Sequence, residues 1–79
     1  MSRSLYSARN SRLRILLADA RKHAGLTQLQ MAKKLRRPQS FVSKYERGER
    51  RLDVIEFLEV TEALGTDPLD LLQPLRLSN

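Results

Sequence analysis

The sequence predicts a compact all-α domain of five helices, two of which are short and joined by a tight turn in the middle of the chain. Apolar residues recur at helical spacing, and no segment alternates apolar and polar residues as a half-buried strand does. Gly25, Gly48 and Gly65 each follow a predicted helix, where a left-handed residue ends the helix. A hydrophobic content of 41% without cysteine allows one modest core that depends on neither disulfides nor thiolate metal sites.

The first helix is predicted from about Ser11 to Ala24, because Leu13, Leu16 and Leu17 share one apolar stripe. Residues 1–10 have no clear period and are assigned to a flexible basic arm. The remaining chain divides into a domain over residues 11–74 and a C-terminal tail over residues 75–79. Ile15 points away from the stripe, so it is expected on the outer side of the first helix.

The second and third helices lie between Thr27 and Gly48. Thr27 and Gln30 have the spacing of a capping box, and Pro38 falls where a first helical position is expected. With residues 39–47 as a helix, one face is apolar around Val42 and Tyr45, with Phe41 at its border. The opposite face carries an amide, hydroxyls and cations: Gln39, Ser40, Ser43, Lys44 and Arg47. Such groups suit hydrogen bonds to base edges and phosphates, so this face predicts contact with DNA.

The fourth helix is predicted from about Asp53 to Leu64, and a short fifth helix from Asp67 and Pro68 to about Gln73. In the fourth helix the periodicity predicts an inner face and a solvated acidic face. The inner face consists of Val54, Phe57, Leu58, Thr61 and Leu64, and the acidic face of Glu56, Glu59 and Glu62.

Charge is unevenly distributed along the chain. Residues 1–51 contain 14 Lys and Arg against three acidic residues, a net charge of +11, whereas residues 52–79 have one Arg against six acidic residues, a net charge of −5. This separation indicates one surface that approaches a polyanion and another that does not. No apolar run approaches the roughly 20 residues of a transmembrane helix, and Met1–Asn10 lacks the apolar stretch of a signal peptide. A cytoplasmic location without membrane contact is therefore expected.

The segment from Thr27 to Gly48 resembles the helix-turn-helix of the phage Cro and repressor type, the XRE-like family. Its motif is matched at Thr27, Gln28, Ala32, Gln39, Ser40, Ser43, Glu46 and Gly48. Arg21 matches the arginine that pairs with the Glu46 position, and the resemblance extends over about residues 12–73. It implies a domain of the phage repressor type, with its helix-turn-helix at helices 2 and 3, and double-stranded DNA as the partner.

The resemblance implies a role for each matched residue. Gln39, Ser40 and Lys44 would contact bases, and the Arg21–Glu46 ion pair would be structural. The expected contacts to the DNA backbone include flanking cations, and are Gln28, Ser43, Arg47, Arg36, Arg37, Arg50 and Arg51. Arg36 departs from the family, which usually has glycine there; a positive φ at this position would cost an arginine roughly 1 kcal/mol.

The function these features predict is a sequence-specific transcriptional regulator that reads a palindromic operator as a homodimer, with helix 3 in the major groove. Two half-sites would give the specificity that one small domain lacks. The favoured dimer surface consists of C-terminal leucines, with Ile15 on helix 1 as the alternative. These leucines are Leu69, Leu71, Leu72, Leu75 and Leu77. They could instead fold back on helix 1.

The sequence is also compared with two other classes of function, protein-binding regulators and enzymes. An antitoxin-like or controller-type regulator would bind a protein as well, such as a toxin or a polymerase subunit, through its acidic third. No catalytic constellation, phosphate-binding loop or metal-ligand spacing occurs in the sequence, so neither an enzyme nor a cofactor is expected. His23 is the single histidine and is interpreted as a surface residue.

Overall fold

The computed structural model describes residues 7–76, which form five α-helices and no strand. Their bounds are α1 Ala8–His23, α2 Gln28–Leu35, α3 Gln39–Arg47, α4 Val54–Leu64 and α5 Pro68–Arg76. The predicted all-α fold, with two short helices joined by a tight turn, is confirmed. None of the helices in the described range is long and apolar enough to cross a membrane.

The core lies where α1, α4 and α5 meet the α2–α3 pair. α2 packs mainly against α3, α1 packs against both α3 and α5, and α4 packs against α2. Every helix contributes to a close-packed apolar cluster. In such a core, removal of a single methylene disturbs the packing of the neighbouring side chains. Its buried members are Leu17, Met31, Ala32, Phe41, Val42, Tyr45, Phe57, Val60 and Leu71.

α1 begins three residues before the predicted start. Ser7 is its N-cap, with a hydroxyl oxygen that accepts a hydrogen bond from the Asn10 backbone N–H at 3.0 Å. Apolar periodicity missed this turn because its helical residues are small or polar, although Asn10 is buried. Residues 8–10 therefore belong to the helix and not to a flexible arm; the rest of the predicted arm, residues 1–6, lies outside the described residues.

α4 is rotated relative to the prediction. Val54 is 72% exposed and Leu58 is 38% exposed, whereas Val60 is completely buried. Glu56, predicted to be solvated, is only 8% exposed. Glu56 takes part in a capping box at the helix start, in which the Asp53 carboxylate accepts from the Glu56 N–H and the Glu56 carboxylate accepts from the Asp53 N–H.

α5 continues to Arg76 and does not end near Gln73. Pro74 lies inside the helix, and Leu75, which was assigned to the tail, is helical. Pro74 lacks a backbone N–H for the helical hydrogen-bond ladder, yet the helix continues through it to Arg76. Leu71 is 7% exposed and packs into the core, so its expected place on an outer dimer surface is wrong. Leu77 lies outside the described residues.

Candidate nucleic-acid interface

The turn between α2 and α3 is closed by Arg36 in the left-handed conformation, with φ 58° and ψ 43°. The Arg36 N–H donates to the Lys33 carbonyl at 3.1 Å, and the Arg37 N–H donates to the Ala32 carbonyl at 3.0 Å. These are the two hydrogen bonds of a glycine-type helix end. An arginine thus takes the backbone conformation that favours glycine, and its side chain is exposed.

Both ends of α3 are fixed by backbone geometry. Pro38 is the N-cap and not the first helical residue, and Gly48 ends the helix at φ 81°. The left-handed φ disfavours a larger residue at Gly48, and a Cβ atom there would lie 2.9 Å from the Arg14 Nε, so the flexible Arg14 side chain would also have to shift. Arg14 also donates to the Glu46 carbonyl at 3.0 Å, which braces the end of α3 against α1. Apart from its charge, no sequence signal predicts this role of Arg14.

The two faces of α3 differ as predicted. Phe41, Val42 and Tyr45 are buried, which resolves the border position of Phe41 in favour of the core. The opposite face remains open to solvent, with Ser43 half-buried and the other members exposed: Gln39, Ser40, Lys44 and Arg47. This exposed face therefore presents an amide, hydroxyls and cations together on one rigid helix.

The Glu46 cluster, which we define as Arg21, Gln28 and Glu46, joins α3 to α1 and α2. Arg21 donates from Nε to Glu46 Oε2 at 2.7 Å and from Nη2 to Oε1 at 3.1 Å. Its Nη1 donates to the Leu26 carbonyl at 2.8 Å, and Gln28 Nε2 donates to Glu46 Oε1 at 3.0 Å. Both charged side chains are buried, and the hydrogen bonds to Glu46 raise the pKa of Arg21. The predicted Arg21–Glu46 pair is therefore present, with Gln28 attached to it.

The Glu56 cluster, which we define as Arg37, Arg50, Glu56 and Glu59, joins the residues that flank α3 to α4. Arg50 binds Glu56 with both Nη atoms, at 2.8 Å and 2.6 Å. Arg37 lies 3.7 Å from Glu56 and 3.4 Å from Glu59. The Arg50 hydrogen bonds, helped by the Asp53 N–H and the charge of Arg37, lower the pKa of Glu56 to about 2. Both guanidinium groups also lie over the Phe41 ring, 4.4 Å and 4.8 Å from its centroid.

The predicted cations thus fall into two groups. Arg37 and Arg50 pair with the Glu56 cluster, and Arg47 pairs with the exposed Glu49 at 2.9 Å. Arg36 and Arg51 are exposed and have no acidic partner among residues 7–76. Sequence reasoning missed the role of Glu56, although the spacing Asp53-x-x-Glu56 before an apolar helix was an available signal.

Residues 7–76 contain no group of three or more side chains that could together bind a metal ion. His23 lies on the surface with Nδ1 2.8 Å from the Asp19 carbonyl oxygen.

A family model described as helix-turn-helix matches residues 17–71, more than half of the chain. The chain belongs to the XRE-type helix-turn-helix family. This membership makes the protein a DNA-binding transcriptional regulator and not an enzyme. No curated protein sequence matches it significantly.

Solved structures agree with this assignment. An XRE-family like protein from Pseudomonas syringae pv. tomato str. DC3000 is 55% identical, with a TM-score of 0.82 over 87% of this chain and 84% of that one. The restriction-modification controller C.AhdI from Aeromonas hydrophila is 28% identical, with a TM-score of 0.76 over 82% of this chain and 98% of that one. The controller C.Esp1396I, solved as a tetramer with its natural 35 base-pair operator, is 21% identical and shares the fold, with a TM-score of 0.79 over 89% and 92%.

Proposed function

We propose that this helix-turn-helix protein reads a palindromic operator as a homodimer, with α3 in the major groove. The observation that carries the proposal is the open polar face of α3, whose opposite face is fixed in the core. A reading helix must hold its side chains in one orientation, because base discrimination depends on hydrogen bonds of defined geometry.

Base reading is assigned to Gln39, Ser40 and Lys44. Gln39 is the first residue of α3 and is exposed, so its amide could present a donor and an acceptor to the N6/N7 edge of adenine. Lys44 has no ion pair among the described residues, which leaves its ammonium available to a guanine or a phosphate. Ser40 lies beside Gln39 on the same exposed face.

Backbone anchoring is assigned to both helices of the motif. Gln28 begins α2 and donates one amide hydrogen to Glu46, so its second amide hydrogen can bind a phosphate near the positive end of the helix dipole. Ser43, Arg47, Arg36 and Arg51 complete the set. Arg37 and Arg50 would reach a phosphate only by sharing or leaving their carboxylate partners.

A second copy of the chain is proposed to cover the apolar surface formed by α4 and α5. Val54, Leu58 and Leu72 line one groove there, and Leu69 and Leu72 line a second groove beside it. Val54 is 72% exposed and Leu69 is 60% exposed, and apolar side chains that lie together on a surface indicate an interaction site. Ile15 is also exposed but lies alone on α1.

A controller-type role is the second candidate, because C.AhdI is a restriction-modification controller and shares more than a quarter of its aligned residues with this chain. A controller would regulate different genes from those of the first proposal, but it would read DNA in the same way. An additional protein partner, such as a toxin or a polymerase subunit, stays a prediction.

Selection of bound duplexes from a random pool tests the proposal. The expected result is a palindrome with half-sites separated by about one helical turn. Gln39→Ala should lose about 1–3 kcal/mol of preference at one base pair of each half-site. Arg51→Ala, which removes an exposed cation assigned to the DNA backbone, should weaken binding to all sequences alike.

The outcomes separate the parts of the proposal. A single, non-repeated site would contradict the homodimer. A uniform loss of affinity in both variants, without a change of preference at any base pair, would contradict the assignment of α3 as the reader.

A further inference from the structure

The Glu56 cluster brings an acidic residue from the negative half of the chain onto the arginines that flank α3. Arg37 immediately precedes the N-cap of α3, and Arg50 follows the C-cap by two residues. Glu56 holds the Arg50 guanidinium in a two-bond, fork-like geometry and also lies 3.7 Å from Arg37. One carboxylate from α4 therefore forms ion pairs with an arginine on each side of the proposed reading helix.

The two arginines remain accessible although they are paired. Their side chains are 35% and 37% exposed, whereas the Glu56 side chain is 11% exposed. The Phe41 ring packs against both guanidinium groups and adds a cation–π contact to each. These contacts orient the arginines toward the protein, and a phosphate would have to compete with a carboxylate for their N–H groups.

We propose that Glu56 restrains Arg50 and, together with Glu59, which accepts a hydrogen bond from Arg37 at 3.4 Å, also restrains Arg37, and thereby lowers the affinity of the protein for DNA of unrelated sequence. This inference rests on the DNA-binding function. Affinity for unrelated sequence depends almost entirely on the number of phosphates that Lys and Arg neutralise. Removal of two arginines from the phosphate contacts lowers this sequence-independent part of the affinity, while Gln39, Ser40 and Lys44 still read bases.

The negative charge of Glu56 is not required for the helix start. The capping box uses one carboxylate oxygen as an acceptor from the Asp53 N–H, at 3.0 Å. A glutamine has the same acceptor and the same length, so it can keep the cap while it gives up the charge. Glu56→Gln therefore separates the charge from the cap. Glu62, an exposed acid of the same helix with no ion pair among residues 7–76, offers a matched control.

The experiment measures binding of a mixed-sequence 30 base-pair duplex to the full chain over a series of salt concentrations. For each arginine that Glu56→Gln releases onto a phosphate, the slope of log K against log [salt] should become more negative by about 0.9. At 0.1 M salt this equals about an eightfold gain of affinity for each new contact. Glu62→Gln, which removes the same charge, should change the slope by less than about 0.3. Affinity for the selected operator should rise by a similar factor in Glu56→Gln, because phosphate contacts do not depend on base sequence.

A second pair of variants tests the inference without altering Glu56. Because Arg50 is held by Glu56, Arg50→Gln should leave the slope nearly unchanged. Arg51→Gln, at the adjacent exposed cation with no acidic partner among the described residues, should make the slope less negative by about 0.9. In the Glu56→Gln protein, Arg50→Gln should reverse part of the gained slope.

Circular dichroism at the assay temperature establishes which variants are folded. If folded Glu56→Gln has the same slope as Glu62→Gln, the inference is overturned. If Glu56→Gln does not fold, the inference is tested by Arg50→Gln and Arg51→Gln. Equal losses of salt slope for these two variants overturn the inference. A wild-type protein that binds neither the mixed duplex nor any selected duplex would instead contradict the proposed function itself.

Discussion

The Glu46 cluster and the Glu56 cluster are both built from arginine and glutamate, but they differ in their exposure to solvent. In the Glu46 cluster the Arg21 and Glu46 side chains are 11% and 7% exposed, and the carboxylate is shared with the Gln28 amide. In the Glu56 cluster the arginines are more than a third exposed, and only Glu56 is buried. The first joins α1 and α2 to α3, whereas the second joins the residues that flank α3 to the start of α4.

This difference in exposure separates a structural pair from one that can exchange partners. A buried ion pair that loses one member leaves an uncompensated charge in a medium that solvates it poorly. A half-exposed arginine can turn to water, or to a phosphate, at a small cost. The Glu46 cluster should therefore affect mainly folding, and the Glu56 cluster should affect mainly the charge that DNA encounters.

The largest effect is expected from Arg21→Met, which keeps much of the apolar stem and leaves Glu46 buried without its ion-pair partner. The free energy of unfolding should fall by about 3–5 kcal/mol, because the carboxylate must then be desolvated with only the Gln28 amide to stabilise it. Urea unfolding followed by circular dichroism measures this loss.

The control for this prediction is Arg47→Met, which breaks the exposed pair between Arg47 and Glu49. Its effect on the free energy of unfolding should lie within about 1 kcal/mol of zero. Equal losses for the two variants would show that burial does not distinguish the two ion pairs.

A smaller effect is expected from Glu56 and should depend on pH. Its pKa is lowered from 4.5 to about 2, mainly by the Arg50 hydrogen bonds, so the folded state binds the proton more weakly than the unfolded chain. The stabilisation is therefore present above about pH 4.5 and is lost as the pH falls toward 2. Glu56→Gln should cost about 1–2 kcal/mol at pH 7, given charged hydrogen bonds to a half-exposed partner.

The comparison with wild type should be made by thermal unfolding between pH 7 and pH 2. The stability difference between wild type and Glu56→Gln should shrink as the pH falls below 4.5. Glu62→Gln, without the ion pair, should differ from wild type by a nearly constant amount over the same range. A constant difference for Glu56→Gln would mean that Arg50 does not stabilise the ionised carboxylate.

The two clusters also show how far the sequence predicts this molecule. The helices, their order and the Arg21–Glu46 pair follow from periodicity, glycines and the family motif. The Glu56 cluster does not, because periodicity places every charged residue outside and carries no information about the Arg50 hydrogen bonds and the capping box that hold Glu56. The start of α1 at Ala8 and the passage of α5 through Pro74 were missed for a related reason: local hydrogen bonds and packing, not apolar spacing, set those bounds.

The smallest effect is expected at Arg36, where a residue outside both clusters has a backbone conformation that favours glycine. At φ 58°, Arg36→Gly should relieve the left-handed strain and raise the free energy of unfolding by about 1 kcal/mol, or about 4–8 °C in Tm. The gain is partly offset because glycine loses more entropy on folding. The reverse change at Gly25, which has φ 74° and open space around its Cβ position, should lower stability by a similar amount in Gly25→Ala.

We expect the arginine at position 36 to contribute to binding, since the backbone conformation alone would favour glycine. Arg36 is exposed and has no acidic partner among residues 7–76, unlike the neighbouring Arg37. Arg36→Gly should therefore stabilise the protein while making the salt slope for a mixed-sequence duplex less negative by about 0.9. Arg36→Lys should keep the strain and most of the slope. If Arg36→Gly raised stability and left the slope unchanged, the cation in the turn would not contact phosphate, and the strain at this position would have no explanation in DNA binding.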